Sequence, residues 1–255
     1  MRTHIALAVA CFVCAVAEAA PPGTTIFTET FEGAHNTGGW SLGNTDLESI
    51  NPIGGHPGAY LHFPDLDTYA PQARTTASGS VFTGNYREQG VSWTGIDLVL
   101  HRVDFSAADR PVAVILTTGG DTPDDFFDDC AIYQLGNKPG PSPNSVWRGY
   151  KFKIASDSPT MPRGWNVWFC DGMDGTEFDT DIERNAVWNR VVQNVTELRF
   201  HVGDPSLFFI FQVWDFGMDN PTITYGTPEV PLAPTSWEVE RSDTTSGTTR
   251  TLQRR

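Results

Sequence analysis

The sequence has few basic residues and lacks an apolar segment long enough to cross a bilayer. Lysine and arginine total 17 against 31 aspartates and glutamates, which gives a formal net charge of −14. A surface of this charge repels phosphate backbones, so nucleic acid is excluded as an expected partner. The longest apolar run, residues 5–16, has 12 residues, whereas a membrane-spanning helix needs about 20. We therefore expect a protein without a membrane span.

Cysteine is also scarce, and two of the four cysteines lie within the first 20 residues. There, Arg2 precedes the apolar run and small residues follow it, which is typical of a secretory signal peptide cleaved after Ala19. Removal of residues 1–19 would leave only Cys130 and Cys170. Two cysteines in an exported protein most simply form one disulfide. We predict a secreted protein, extracellular or periplasmic, with a Cys130–Cys170 bridge.

Long helical patterns are missing, and short alternating segments take their place. The chain has 24 glycines and 18 prolines, which divide it into short pieces. Alternation of apolar and polar residues predicts strands over 58–63, 90–100, 110–118, 146–154, 196–202, 207–214 and 221–226. Many short strands separated by turns favour an all-β fold, a β-sandwich of two antiparallel sheets.

Three local features complete this outline. Residues 181–195 show a partial 3.6-residue period and predict one short helix. The alternation changes phase at Thr94-Gly95, where we expect a β-bulge. The segment 227–255 is rich first in proline and then in Ser, Thr and Arg, and is expected to be a disordered tail. Residues 20–226 would then form the sandwich.

One acidic run admits an enzymatic interpretation. Glu177, Asp179 and Asp181 alternate in "EFDTDIE", as do the nucleophile and general acid on a single strand of some β-sandwich glycoside hydrolases. The last acid is the shorter Asp, and the flanking residues are not strand-like. A solvated acidic loop is therefore favoured, with a glycoside hydrolase as the alternative.

Eight tryptophans suggest a binding surface for carbohydrate, because flat aromatic faces pack against sugar C–H groups. Trp147 shares one face of its predicted strand with Lys151 and Lys153, so it is a candidate outward platform. Trp93, on the strand 90–100, is the second candidate. The alternative is that both belong to the core, where most tryptophans of a sandwich lie.

Both ends of the predicted domain resemble a known class of module. "FTETFEGAHNTGGW" (27–40) is similar to the opening of galactose-binding and carbohydrate-binding jelly rolls, and "WDFGMDNPTIT" (214–224) to their closing strand. The segments between, such as "FTGNYREQGVSWTGIDLVL", resemble the laminin B (laminin IV-A) type of jelly roll. The resemblance covers about residues 25–226 and implies a jelly-roll sandwich whose first and last strands are neighbours.

The resemblance also implies a structural Ca²⁺. In many such modules the glutamate of the opening motif and the aspartate of the closing motif meet and bind the ion, and here these are Glu32 and Asp219. The alternative is that the two carboxylates only accept hydrogen bonds from turn amides. We thus expect a secreted, non-catalytic adhesion or carbohydrate-binding module that contacts a glycan or protein surface. A purely structural domain of an envelope or matrix remains a further alternative.

Overall fold

The computed structural model describes residues 23–33, 36–43, 47–106, 110–119, 129–144 and 146–226. The predicted signal peptide and tail lie outside these residues. The described residues form two antiparallel sheets, a single α-helical turn, α1 (Tyr86–Gln89), a 3₁₀ turn (Gly175–Glu177) and one helix of 13 residues. The predicted all-β jelly-roll sandwich is therefore confirmed. No helix in this part of the chain combines the length and apolarity needed to cross a membrane.

Six strands form the first sheet, which we call sheet A. They are β1 (Thr25–Thr28), β3 (Ser49–Gly55), β4 (Gly58–Thr68), β6 (Val91–Val103), β9 (Arg148–Lys153) and β13 (Gln212–Tyr225). Their order is β3-β4-β13-β6-β9, with β1 pairing the end of β13. The first and last strands are thus neighbours, as expected.

Seven strands form the second sheet, which we call sheet B. They are β2 (Trp40–Ser41), β5 (Gln72–Thr75), β7 (Pro111–Thr118), β8 (Cys130–Pro139), β10 (Trp165–Cys170), β11 (Met173–Asp174) and β12 (Glu197–Val202). Their order is β11-β10-β8-β7-β12-β5-β2. Cys130 and Cys170 pair across β8 and β10 and form the predicted disulfide.

Alternation along the strands explains the core. In β12, Leu198 and Phe200 are buried between the sheets, whereas Arg199 and His201 face outward. Because successive side chains of a strand point to opposite faces, one face of each sheet meets the other sheet and one faces away. The inner faces form one continuous apolar cluster, which includes the fully buried Trp165 and Trp214.

The predicted helix is confirmed as α2 (Asp181–Gln193). Thr180 caps it: its hydroxyl accepts from the Glu183 N–H, and the Glu183 carboxylate accepts from the Thr180 N–H. This reciprocal capping box satisfies two backbone donors at the helix start. Trp188 and three valines on one side of the helix join the core cluster.

The strand predicted over 207–214 is wrong for its first five residues. Strand β13 begins at Gln212, and 207–211 lie in a loop after a turn in which Asp204 accepts from the Ser206 N–H. Phe208 is 86% exposed. Phe209 instead packs against Gly203 and lies 4.1 Å from the Arg110 guanidinium, measured to the ring centroid. The apolar residues of 207–211 therefore do not form the buried face of a strand.

The predicted bulge position is also wrong. Thr94 and Gly95 pair in register with Ile223 and Thr222 of β13 and with β9, and the shift that follows Gly95 adds its extra residue to β13, between Asp219 and Thr222. The extra residues of β6 relative to β13 fall instead at Ser92 and at His101. Ser92 accounts for the phase change, because Val91 lies in the core and Trp93 faces outward. The alternation pattern alone shows that β6 has an extra residue but fits several nearby positions. The pairing with the neighbouring strand determines which residue forms the bulge.

Candidate functional site

The outer face of sheet A collects polar and aromatic side chains from several strands. Strand β6 alternates so that Ile96, Leu98 and Leu100 face the core. The residues between them, together with their neighbours on β4, β9 and β13, lie on the opposite face. This surface has two parts: a groove at one end and a cluster of aromatic and histidine side chains at the other.

The groove has a volume of about 310 Å³ and lies across β6, β9 and β13. Trp93 forms one wall, with the Lys151 ammonium 5.3 Å from its ring centroid. Two glycines form part of the floor: a Cβ on Gly95 would lie 2.8 Å from the Tyr150 carbonyl, and one on Gly149 would lie 3.0 Å from Asp97. The volume is at the lower end of the range for small-ligand sites.

A hydrogen-bonded group separates the two parts. One carboxylate oxygen of Asp97 lies 2.9 Å from the His56 Nδ1 and accepts from the Asn220 side-chain amide at 2.9 Å. The Asn220 amide also donates to the His56 carbonyl. These contacts fix the β3–β4 turn against the centre of sheet A.

Trp147 and Tyr60 form the aromatic centre of the second part. Their ring centroids are 5.2 Å apart in an edge-to-face arrangement. The Trp147 indole N–H donates to the Gly54 carbonyl at 2.8 Å, and Trp147 also lies parallel to the His56 ring. Tyr60 packs over Gly217, where a Cβ would lie 2.8 Å from the tyrosine ring. Burial raises the pKa of the Tyr60 hydroxyl, which is therefore a neutral donor and acceptor.

Beside Tyr60, two histidines flank a carboxylate. His62 Nε2 lies 2.7 Å from Asp215 Oδ1, and the His62 and His101 ring centroids are 5.5 Å apart. His101 Nε2 lies 3.4 Å from the Tyr60 hydroxyl. Burial lowers the pKa of His101, and this outweighs the opposite effect of Asp215.

Glu32 and Asp219, the predicted calcium ligands, both contact the β3–β4 turn. Glu32 accepts from the Ala59 N–H at 3.0 Å, and Asp219 accepts from the His56 N–H at 2.5 Å and the Asn220 N–H at 2.7 Å. Asp219 is fully buried, and burial raises its pKa to about 6, against the lowering effect of the two amides. A Cβ on Gly58 would lie 1.8 Å from Glu32, so glycine is needed for this approach.

These two residues fit a hard cation in part. Both supply carboxylate oxygens, the ligands that Ca²⁺ prefers, and they reach one turn from opposite ends of the chain. Their hydrogen bonds to backbone amides are also those expected if the two carboxylates only accept hydrogen bonds from the turn and bind no ion. Further oxygen ligands would have to come from backbone carbonyls or water, since Glu32 and Asp219 form no group of three close ligand side chains among the described residues. Calcium therefore stays a prediction.

The acidic run does not adopt the geometry that a glycoside hydrolase of the predicted type requires. Glu177 ends a 3₁₀ turn, where it accepts from the Asp174 N–H, and Asp181 begins α2. Asp179 lies between them in an irregular segment. Because the run is not a strand, its alternate carboxylates are not placed on one face by strand geometry.

Sequence reasoning found the two tryptophans and missed the neighbouring cluster. Trp93 and Trp147 both belong to the outer face of sheet A, and Lys151 shares the groove with Trp93. His62, His101 and Asp215 were not singled out because no short motif contains them. The outward phase of "YLHF" (60–63) is the one local signal that His62 faces away from the core.

Comparison with known proteins identifies no family for this chain. No protein-family model matches the chain, and no curated protein matches it. Among solved structures, an exo-beta-agarase aligns with a TM-score of 0.39 and 15% identity, over 78% of this chain and 24% of the agarase chain. The chain thus spans about a quarter of that structure's length. The fold assignment rests on the strand pairing described above.

Proposed function

We propose that this chain is a secreted, non-catalytic adhesion or carbohydrate-binding module of the laminin B-like or galactose-binding-like type. Its ligand would lie along the outer face of sheet A. The observation that carries the proposal is the placement of Trp93 and Trp147 on this one face, with a polar groove beside Trp93. Secretion is supported by the disulfide and by the predicted signal peptide.

The spacing of the two tryptophans favours an extended ligand. Arg148 pairs with Leu98 in an antiparallel register, so the preceding Trp147 lies at about the level of Val99, six residues after Trp93 on β6. At about 3.3 Å per strand residue, the tryptophans are roughly 20 Å apart along the strand. A chain of several sugar units spans such a distance, whereas one monosaccharide does not.

The polar side chains between them match a ligand rich in hydroxyl groups. Asp97 supplies acceptors, Asn220 supplies both donor and acceptor atoms, and Lys151 supplies an ammonium group. An aromatic face with a few directed polar groups is the usual composition of a small-ligand site. We therefore favour a glycan over a protein surface as the ligand.

Glycan-array screening of the exported protein, followed by calorimetry, tests this proposal. The variants Trp93→Ala and Trp147→Ala should each weaken binding at least about fivefold, because a stacked aromatic ring contributes on the order of 1 kcal/mol or more. Trp168→Ala is the matched control, since Trp168 packs beside Phe169 on the outer side of sheet B. Absence of any bound glycan, or equal losses in all three variants, would overturn the proposal.

The non-catalytic part of the proposal needs a separate assay. Incubation with β-glucans or galactans should release no reducing sugar. Release that disappears in Glu177→Gln would replace the binding module by the hydrolase interpretation. Amino-terminal sequencing of the exported chain should begin at Ala20 if the signal peptide is cleaved as predicted.

A structural Ca²⁺ at Glu32 and Asp219 completes the proposal. The ion would compensate the buried charge of Asp219 and tie the first and last strands to the β3–β4 turn. Melting temperature should rise with added Ca²⁺ and fall with chelator, with about 2.7 kcal/mol of stabilisation at a hundredfold excess over Kd. The shift should vanish in Glu32→Gln and Asp219→Asn but persist in the control Asp174→Asn. A shift that survives both ligand substitutions would contradict this site.

A further inference from the structure

We infer that His62, His101 and Asp215 form a binding site for a divalent transition-metal ion, with Zn²⁺ as the reference ion. Each residue offers one ligand atom, and these three atoms all lie within 4.8 Å of one another. The site lies on the outer face of sheet A and does not include the predicted calcium ligands. The inference stands independently of the proposed glycan binding.

Sheet order creates this group. Strand β13 lies between β4 and β6, so Asp215 has a histidine-bearing strand on each side. Between Phe216↔Leu100 and Asp215↔Arg102, strand β6 advances by one extra residue, and that residue is His101. A bulge changes the direction of a side chain and is frequent beside functional sites. Here the bulge places His101 next to Asp215.

The donor set selects the class of metal. Two imidazoles and one carboxylate suit Zn²⁺, Ni²⁺, Cu²⁺ or Fe²⁺, whereas Ca²⁺ and Mg²⁺ prefer oxygen ligands alone. Metal–ligand bonds of about 2.0–2.2 Å require ligand atoms about 3–3.5 Å apart. The His62–Asp215 contact of 2.7 Å must therefore open slightly, and the His101 ligand atom lies within 4.8 Å of the other two, which side-chain rotation can bring to the required spacing.

The surroundings support a metal ion more than an isolated ion pair. Arg102, the pairing partner of Asp215, turns its guanidinium to Asp65 at 2.7 Å, and among the described residues Asp215 forms its ion pair with His62. The carboxylate is 24% exposed, so solvent or a ligand reaches the open side. Three protein ligands would leave at least one coordination position free there.

Tyr60 would act as a positioning residue for the site. Its ring is held over Gly217, and its hydroxyl accepts from the Asn51 amide at 3.2 Å. The same hydroxyl lies 3.4 Å from His101 Nε2. Hydrogen-bonding partners of this kind orient a metal-binding histidine and tune its affinity.

Calorimetric titration of the untagged, exported protein with Zn²⁺ alone tests the inference. We expect one site, and at least about tenfold weaker binding in each of His62→Gln, His101→Gln and Asp215→Asn. His56→Gln is the matched control, because this exposed histidine on the same face pairs with Asp97 instead and should leave Zn²⁺ affinity unchanged. Ca²⁺ in excess should not compete.

A measurement on the unmodified chain covers the case in which a variant fails to fold. Long-range ¹H–¹⁵N spectra of the imidazoles should show two histidine signals shifting with one equivalent of Zn²⁺. His4 lies in the predicted signal peptide, so the exported chain has five histidines, and three of them should remain in place. Shifts of no histidine, or of one alone, would overturn the site, as would Zn²⁺ binding that is unchanged in both histidine variants.

Discussion

The outer faces of the two sheets hold half-buried carboxylates in opposite settings. On sheet B, Glu197 accepts from the Arg199 guanidinium at 2.7 Å and lies 3.7 Å from Arg74. On sheet A, Asp215 contacts the imidazole of His62. Arginine stays charged at every relevant pH and has no lone pair to offer, whereas a neutral imidazole has one. The arginines beside Glu197 therefore offer no atom that could bind a metal ion, whereas the imidazole beside Asp215 does.

The outer faces of the two sheets also differ in how deeply their side chains are buried. On sheet B, outward-facing Ile115 and Ala131 are fully buried, and with Tyr133 they form a small second apolar cluster. On sheet A, the corresponding surface contains a groove and partly accessible aromatic rings. Under the proposed function, sheet B would contribute stability on both of its faces, while sheet A would contribute stability on one and recognition on the other. Four experiments test this division.

The largest effect is expected from the disulfide at the edge of sheet B. Replacing both Cys130 and Cys170 by alanine opens a link across a sequence separation of 40, which the chain-entropy relation values at about 4 kcal/mol of unfolding free energy. Denaturant unfolding measures the loss. Zn²⁺ affinity on sheet A should not change, and a parallel loss of metal binding would contradict the separation of the two faces.

The second-largest loss of stability is expected from substitution of Glu197. Its removal in Glu197→Ala leaves Arg199 poorly compensated at a site where both side chains are mostly buried. Breaking such a pair should lower the unfolding free energy by about 2–3 kcal/mol. The matched variant on sheet A, Asp215→Asn, should cost less than about 1 kcal/mol. Equal losses in urea unfolding would show that the two carboxylates have the same structural role.

Gly217 tests whether recognition on sheet A depends on close packing. In Gly217→Ala, the new Cβ would lie 2.8 Å from the Tyr60 ring and 2.9 Å from Val99, so Tyr60 must move. We expect a loss of about 1–2 kcal/mol and weaker Zn²⁺ binding. Gly119→Ala, at the end of β7, is the control, because its nearest neighbour would lie 3.5 Å away. An unchanged metal affinity in Gly217→Ala would remove Tyr60 from the site.

The smallest effect is expected from His201 on sheet B. Burial lowers its pKa, helped by Arg199 and Arg110 and opposed by the Gly203 carbonyl and Asp204. The unfolded chain then binds the proton more readily, so the contribution of His201 is present above its ordinary pKa near 6.5 and is lost as pH falls through that value. His201→Gln should reduce the slope of stability against pH between about 5 and 7. An unaltered slope would contradict this assignment.

Local pattern predicted part of the strands, the helix and the disulfide, but it did not predict the strands β3, β5, β8 and β10. A strand with one buried face must alternate, as β12 does at Leu198 and Phe200, so the order of residues reveals it. The helix α2 shows its start through Thr180 and Glu183. The bridge followed from counting cysteines, because removal of the signal peptide leaves a single possible pair.

Tertiary structure decided which of these strands became neighbours, and with that the candidate sites. His62 and Asp215 are 153 positions apart and touch only because β13 inserts between β4 and β6. The bulge at His101 depends on how β6 pairs with β13, which no residue of β6 specifies alone. The loop 207–211 shows the same limit: its apolar residues fit a strand pattern, but no strand in the described part of the chain pairs with them. Alternation of apolar and polar residues is visible within a single segment, whereas strand pairing depends on two segments that are distant in the sequence. The sequence therefore predicts which side chains of a strand face the core more reliably than it predicts which side chains meet in a binding site.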